Sequence, residues 1–273
     1  MYLVFVVILI GLPLAALAFG LWSTANEIYV YAINSINHRM QIRQPLSEKY
    51  RQILRKYFAY YNVLSSTEKQ EFERRLVRFM YSKNFIARGI PLILDDMKVL
   101  ISATAVQLTF GLPQVYLANF DKILVYPDEY YSHISKRYHL GEVNPRAGII
   151  VISWKAFVAG LGDLNDSLNV GIHEMAHAIH FENRIRNSEY DFLDQQAILK
   201  LKTLTDRETS KIIVAPETHF LRRYAATNEY EFFAVALEYF FEQPLELQQN
   251  IPDLYATLKQ LLNQDPIKLY NLA

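Results

Sequence analysis

The sequence predicts an α+β protein, mostly helical with a small mixed sheet and an apolar helix at its N-terminus. Three observations lead there. Apolar residues recur at helical spacing in several long runs, most clearly near 66–84, 95–111, 168–181 and 224–244. Strand signals are few and short: residues 86–94, 123–126 and 148–154. Residues 1–22 carry no charged side chain at all.

That first stretch, MYLVFVVILIGLPLAALAFGLW, is long enough to span the ~30 Å hydrocarbon core of a bilayer at ~1.5 Å per residue. Gly11 and Pro13 are tolerated in such spans. A transmembrane anchor over 1–22 is therefore preferred to a cleavable signal, which wants a basic leading region, and to a buried soluble helix. Basic residues follow the span (Arg39, Arg43, Lys49, Arg51, Arg55, Lys56) and none precedes it. The positive-inside rule then gives a single-pass protein of the inner (cytoplasmic) membrane with its body in the cytoplasm. Residues 23–45 read as a connector and 46–273 as one domain.

In that domain, Pro45-Leu46-Ser47 opens a helix expected to reach about Tyr60. Ser66 and Thr67 are expected to cap the next, with Thr67 and Gln70 at capping-box spacing and Phe72, Leu76, Phe79 and Met80 on its apolar face. Its Lys and Arg residues read as the solvated face. Asp95 is expected to cap a buried helix, DDMKVLISATAVQLTFG. Residues 127–145, with His133 and His139, read as loop, and GIIVISW (148–154) is the best strand. Residues 183–217 lack a clear period; only 195–204 reads as helix, and the stretch is long enough for a lid.

With 28 basic and 28 acidic residues the formal net charge is zero, so charge gives no case for nucleic-acid binding. Cysteine is absent, which excludes disulfides, thiolate metal ligands and thiol nucleophiles.

The chemistry is in His173-Glu174-Met175-Ala176-His177, the H-E-x-x-H pattern. Residues four apart on a helix share a face, about 6 Å apart along the axis, so two imidazoles can share one metal ion. Glu174 is then beside the ion's open side, placed to take a proton from water. Asn165, Asp166 and Ser167 offer N-caps, and Leu168, Ile172, Met175, Ala176 and Ile179 recur at helical spacing. Without cysteine, zinc must use His and carboxylate ligands, which points to a zincin-like metallopeptidase domain holding one Zn2+.

A third ligand is needed. HEMAHAIHFEN lacks the glycine and third histidine of the longer metzincin pattern, and His180 is about 10 Å along the axis from His173, so it reads as a packing or supporting residue. YAATNEYEFFAVALEYFFEQP supplies a second buried helix, capped by Thr227 or Asn228 and stopped by Pro244. Spacing leaves Glu229, Glu231 and Glu238 open as ligands; Glu231 also has capping-box spacing to Asn228.

DDMKVLISATAVQLTFGL, ILVYP, GIIVISW leading into HEMAH, and YAATNEYEFFAVALEYFF together resemble the Mlc titration factor A family of zinc peptidases, in order over roughly 60–265. The last stretch is also similar to the protease domain of anthrax lethal factor. The resemblance implies Glu231 as third ligand, of the gluzincin type, and Tyr224 as the catalytic tyrosine that stabilises the oxyanion; His219 is the runner-up donor. It implies a peptide or protein substrate and an aminopeptidase activity. Its alternative is a binding protein that sequesters a transcriptional regulator. The apolar N-terminus and His180 depart from the family's pattern. By analogy, substrate is expected to add as a strand along 148–154.

Overall fold

The structure, a computed structural model, describes residues 44–113, 115–132, 136–163, 166–185 and 192–272. The anchor expected over 1–22, nearly all of the connector, Asn165 and His133 lie outside the described residues. No helix of the described residues is long and apolar enough to cross a membrane. Residues from Pro45 onward cluster as one compact unit.

Helix α1 (Glu48–Tyr57) is capped by Ser47, whose hydroxyl accepts from the Tyr50 N–H, and it stops before the expected Tyr60; α2 (Ala59–Val63) follows after a break at Phe58. Helix α3 (Ser66–Ser82) is capped one residue earlier than expected. Ser65 and Glu68 exchange reciprocal bonds, so the capping box is theirs and not that of Thr67 and Gln70. Phe72 on α3 is fully buried among Phe58, Tyr60, Tyr61 and Phe110. Arg51 pairs with Glu73, which also accepts from the Tyr61 hydroxyl, tying α1 and α2 to α3.

Strand β1 (Asn84–Ala87) is earlier and shorter than the expected 86–94. Helix α4 (Asp95–Thr109) begins at Asp95, which pairs with Lys49 at 2.6 Å and does not cap; the N-cap is Leu94. As expected, α4 is buried nearly all round. Strand β2 (Lys122–Tyr126) covers the expected run. The stretch read as loop holds three further strands: β3 (Tyr130–Ser132) and β4 (Arg137–His139), which pair as a hairpin, and β5 (Gly141–Asn144). Strand β6 (Ile149–Ser153) completes a four-stranded sheet of order β1-β2-β6-β5. The first three strands are parallel and β5 runs antiparallel to β6, with Gly141 opposite Ile152 and Asn144 opposite Ile149. Strand β6 is thus internal, buried as its β-branched run demands, and β1 and β5 are the two edges.

Helix α5 (Trp154–Gly162) leads to α6 (Val170–Ile185), which carries the H-E-x-x-H residues. Helix α7 (Gln195–Val214) extends ten residues beyond the expected 204 and buries Ala197, Leu204, Thr205, Glu208 and Ile212. From 195 to 214 the expected lid is a built-in helix. A 3₁₀ turn (Arg223–Ala226) precedes α8 (Glu229–Glu242), and α9 (Pro244–Asn250), α10 (Pro252–Leu262) and α11 (Pro266–Leu269) close the chain. Helix α6 packs on α8, α4, β6 and β5.

Two clamps set α6. At its start, Asn169 is the cap: its Oδ1 accepts from the Ile172 N–H at 3.0 Å, the role expected of residues 165–167. At its end, the fully buried Glu182 accepts from the Ala118 and Asn119 N–H groups, each at 3.0 Å. Leu117, at φ 49°, sits in the left-handed region just before those two residues, and its carbonyl takes the buried Lys83 ammonium at 2.6 Å.

The capping assignment is testable by denaturant unfolding. Ser65→Ala is expected to cost ~1 kcal/mol. Thr67→Ala should be near neutral, and the reverse order would refute the assignment.

Candidate metal centre

His173 and His177 lie one turn apart on α6, with rings 4.7 Å apart and nearly perpendicular. Their Nε2 atoms are 3.1 Å apart. Glu231, in the first turn of α8, places Oε2 2.9 Å from His173 Nε2 and 3.5 Å from His177 Nε2. Among the described residues these three form the one group of His, Asp and Glu side chains whose donor atoms converge as a metal ion requires. Two imidazole nitrogens and a carboxylate oxygen suit zinc and similar ions. The fit has a second sign: Glu231 Oε2 is buried without a conventional hydrogen bond. Such an atom between two imidazoles calls for a cation.

The electrostatics agree. Burial works against a charged imidazole at His173, but the carboxylates of Glu231 and Glu238 override it and hold its pKa at about 10. Burial pushes the Glu231 carboxyl up, and the two imidazoles outweigh it, holding it well below the usual carboxylate range.

Glu238, two turns beyond Glu231, is not in the converging group. Its Oε1 lies 2.7 Å from His173 Nδ1, fixing the tautomer that frees Nε2. The same oxygen accepts from Arg222 at 2.5 Å, and Oε2 accepts from the Asn169 N–H at 2.8 Å. Arg222 also donates to the Ser167 carbonyl. The sequence leaves Glu238 open as a competing ligand; its supporting role and that of Arg222 emerge only in the structure, and the seven-residue spacing from Glu231 is the signal available for the former. Glu229 is exposed near Arg184. His180 packs against Tyr230 and Phe233, and burial lowers its pKa to about 4.

Glu174 is buried, which pushes its carboxyl above the ordinary range while the two histidines pull it back. It lies against the edge strand: a Cβ at Gly141 would fall 2.4 Å from its Oε1. Tyr224, from the 3₁₀ turn, sits 5.9 Å from the His173 ring, centroid to centroid, and is 49% exposed. Burial of its hydroxyl and the charge of Glu231 raise its pKa to about 12, so it is a neutral donor near neutral pH. His219 is elsewhere: Nδ1 accepts from the Leu221 N–H at 3.1 Å and Nε2 meets Glu208 at 3.0 Å, pinning the strap before the 3₁₀ turn to α7. A cleft of about 250 Å³ joins His173, Glu174, His177, Tyr224 and Glu231 to Gly141, Glu142 and Val143 of β5.

The family model of the glucose-regulated metallo-peptidase M90 matches residues 33–262. The chain belongs to that family. It is 27% identical to an uncharacterized protein of Synechocystis sp. over 239 residues, 82% of this chain and 87% of the relative. It is 25% identical to Mlc titration factor A of Klebsiella pneumoniae over 226 residues and 27% identical to that of Pectobacterium atrosepticum over 225, each covering 75% of this chain and 82% of the relative. The resemblance to the Mlc titration factor A family read from the motifs is thereby confirmed.

Metal binding must displace the His173 proton. Because that pKa is raised to about 10, the ring is protonated throughout the range below it and neutral only above. Metal affinity should therefore fall roughly tenfold per pH unit from pH 8 to 6, with about one proton released per ion. Calorimetry in buffers of different ionisation enthalpy reads this directly, and pH-independent binding would contradict it.

Proposed function

We propose that the chain is a zinc-dependent peptidase with His173, His177 and Glu231 as ligands and Glu174 and Tyr224 as catalytic residues. The observation that carries this is the convergence of three ligand atoms beside a buried carboxylate in an open cleft. A bound zinc ion supplies a Lewis acid that makes water a nucleophile near neutral pH. The protein's own groups do the rest. Glu174 takes the proton of the attacking water and hands it to the leaving amine. Its burial keeps the carboxyl basic enough for that exchange. Tyr224 donates to the oxyanion that develops on the peptide carbonyl. Glu238 and Arg222 hold His173 in the right tautomer.

Substrate pairing moves from its expected place. Strand β6 has neighbours on both sides, so 148–154 offers no free edge. Strand β5 is an edge and lines the cleft, so an extended peptide would add to 141–144. The finer reading, an aminopeptidase, draws support from Glu142. This carboxylate lines the same cleft, oriented by the Tyr130 hydroxyl at 2.8 Å, and suits a substrate's terminal ammonium. Membrane tethering through 1–22 with a cytoplasmic body remains part of the proposal, on the apolarity of that stretch.

A second reading, capture of a transcriptional regulator, is favoured by the name of the relatives, Mlc titration factor A. Glu174→Gln separates the two. Turnover should fall roughly 10²–10⁴-fold if the carboxylate is the proton carrier, while regulator capture should survive. Tyr224→Phe should lower kcat by about 10²–10³-fold. Unchanged turnover in either variant would contradict its role.

Glu142→Gln should lower kcat/KM on peptides with a free N-terminus and leave N-acetylated peptides unaffected. Equal losses on both would remove the aminopeptidase reading.

A further inference from the structure

A second cavity, of about 390 Å³, lies at the opposite end of α8 from Glu231. None of its lining residues lines the metal cleft. Aromatic rings contribute to its walls: Tyr57, Phe58, Tyr60, Phe241 and Tyr270, with Leu161 beside them. Tyr57 and Leu272, both well exposed, mark its mouth. Among the described residues no Lys or Arg lines it.

One side chain in this wall does not fit an apolar cavity. Glu242, the last residue of α8, is 9% exposed. Its Oε1 accepts from Asn169 Nδ2 at 2.8 Å. Its Oε2 is buried with no hydrogen-bond partner. Burial pushes this carboxyl up to about 8, and the charges of Glu238, Asp166 and Asp163 add to the effect against the single bond from Asn169. Arg222 is committed to Glu238 and the Ser167 carbonyl. Near neutral pH the Glu242 carboxyl therefore holds a proton, and the bond from Asn169 uses only one of its oxygens; a cation entering the cavity would take that proton's place.

We propose that this cavity binds an organic monocation, an ammonium or guanidinium on an apolar stem, with Glu242 as its counter-charge. The aromatic walls suit the charged head by cation–π attraction and the stem by burial. A divalent metal does not fit, since hard cations need about six oxygen ligands and this site offers one carboxylate among rings. The volume, about 390 Å³, is ample for a group the size of an arginine side chain together with part of its carrier. Such a head comes either from a free metabolite or from a protein side chain, and the two sources differ in the stem's continuation. The proposal is independent of the peptidase reading.

The test is thermal unfolding of the full chain with n-butylguanidinium, its neutral isostere n-butylurea, and a blocked Ala-Arg-Ala peptide. The cation should raise Tm by about 3–5 °C at ten times its Kd, and the urea should not. A stronger response to the peptide assigns the source to a protein side chain; a response to the small cation alone assigns it to a metabolite. Glu242→Gln keeps the bond from Asn169 and should lose the response. Leu161→Trp, which fills the cavity and leaves the acid in place, should lose it too and covers the case of a misfolded Glu242→Gln. No response from wild type to either cation, an equal response to the urea, or a response that survives in folded Glu242→Gln would overturn the proposal.

Discussion

The structure depends on His173, an imidazole held between two carboxylates. Glu231 faces one ring nitrogen at 2.9 Å and Glu238 the other at 2.7 Å, all largely out of water. An unpaired buried charge is expensive, so this array demands a positive charge at its centre. A proton or a metal ion would meet the demand. The arrangement also explains why α6 and α8 are each other's main neighbours: the ligands come from both, and the apolar faces of both must meet for the donor atoms to converge.

The supports run outward from this point through hydrogen bonds. Glu238 holds the N–H of Asn169, and Asn169 caps α6, the helix that carries His173. Asn169 also reaches Glu242 at the end of α8, so one residue ties the start of the metal helix to two turns of its partner. At the far end of α6, Glu182 clasps the turn that feeds β2. Gly141 lets the edge strand approach the Glu174 carboxyl so closely that any side chain there would displace it.

Much of this was legible from residues alone. The H-E-x-x-H helix, the buried character of α4 and the existence of a second buried helix with acids in its first turns all follow from periodicity. Choosing among Glu229, Glu231 and Glu238 did not; it took a family resemblance, and in the structure Glu231 alone of the three converges with the Nε2 atoms of both histidines. The edge strand escaped detection because Gly-Glu-Val-Asn has neither length nor alternation, being half-buried and defined by its neighbour β6. The caps at Ser65 and Asn169 lie one to four residues from their expected places, because runs such as SST and NDSLN offer several polar side chains; the reciprocal bond from Glu68 selects Ser65, and distant Glu238 and Glu242 select Asn169. Helix α7 was read as half its length because most of its surface faces water.

The most direct test of the account is metal content of the purified full chain, wild type beside Glu231→Ala, each with a check of folding. The account predicts about one zinc ion per wild-type chain and a sharp loss in the variant. A folded wild type that takes up no metal, or a Glu231→Ala chain that holds as much as wild type, would contradict it.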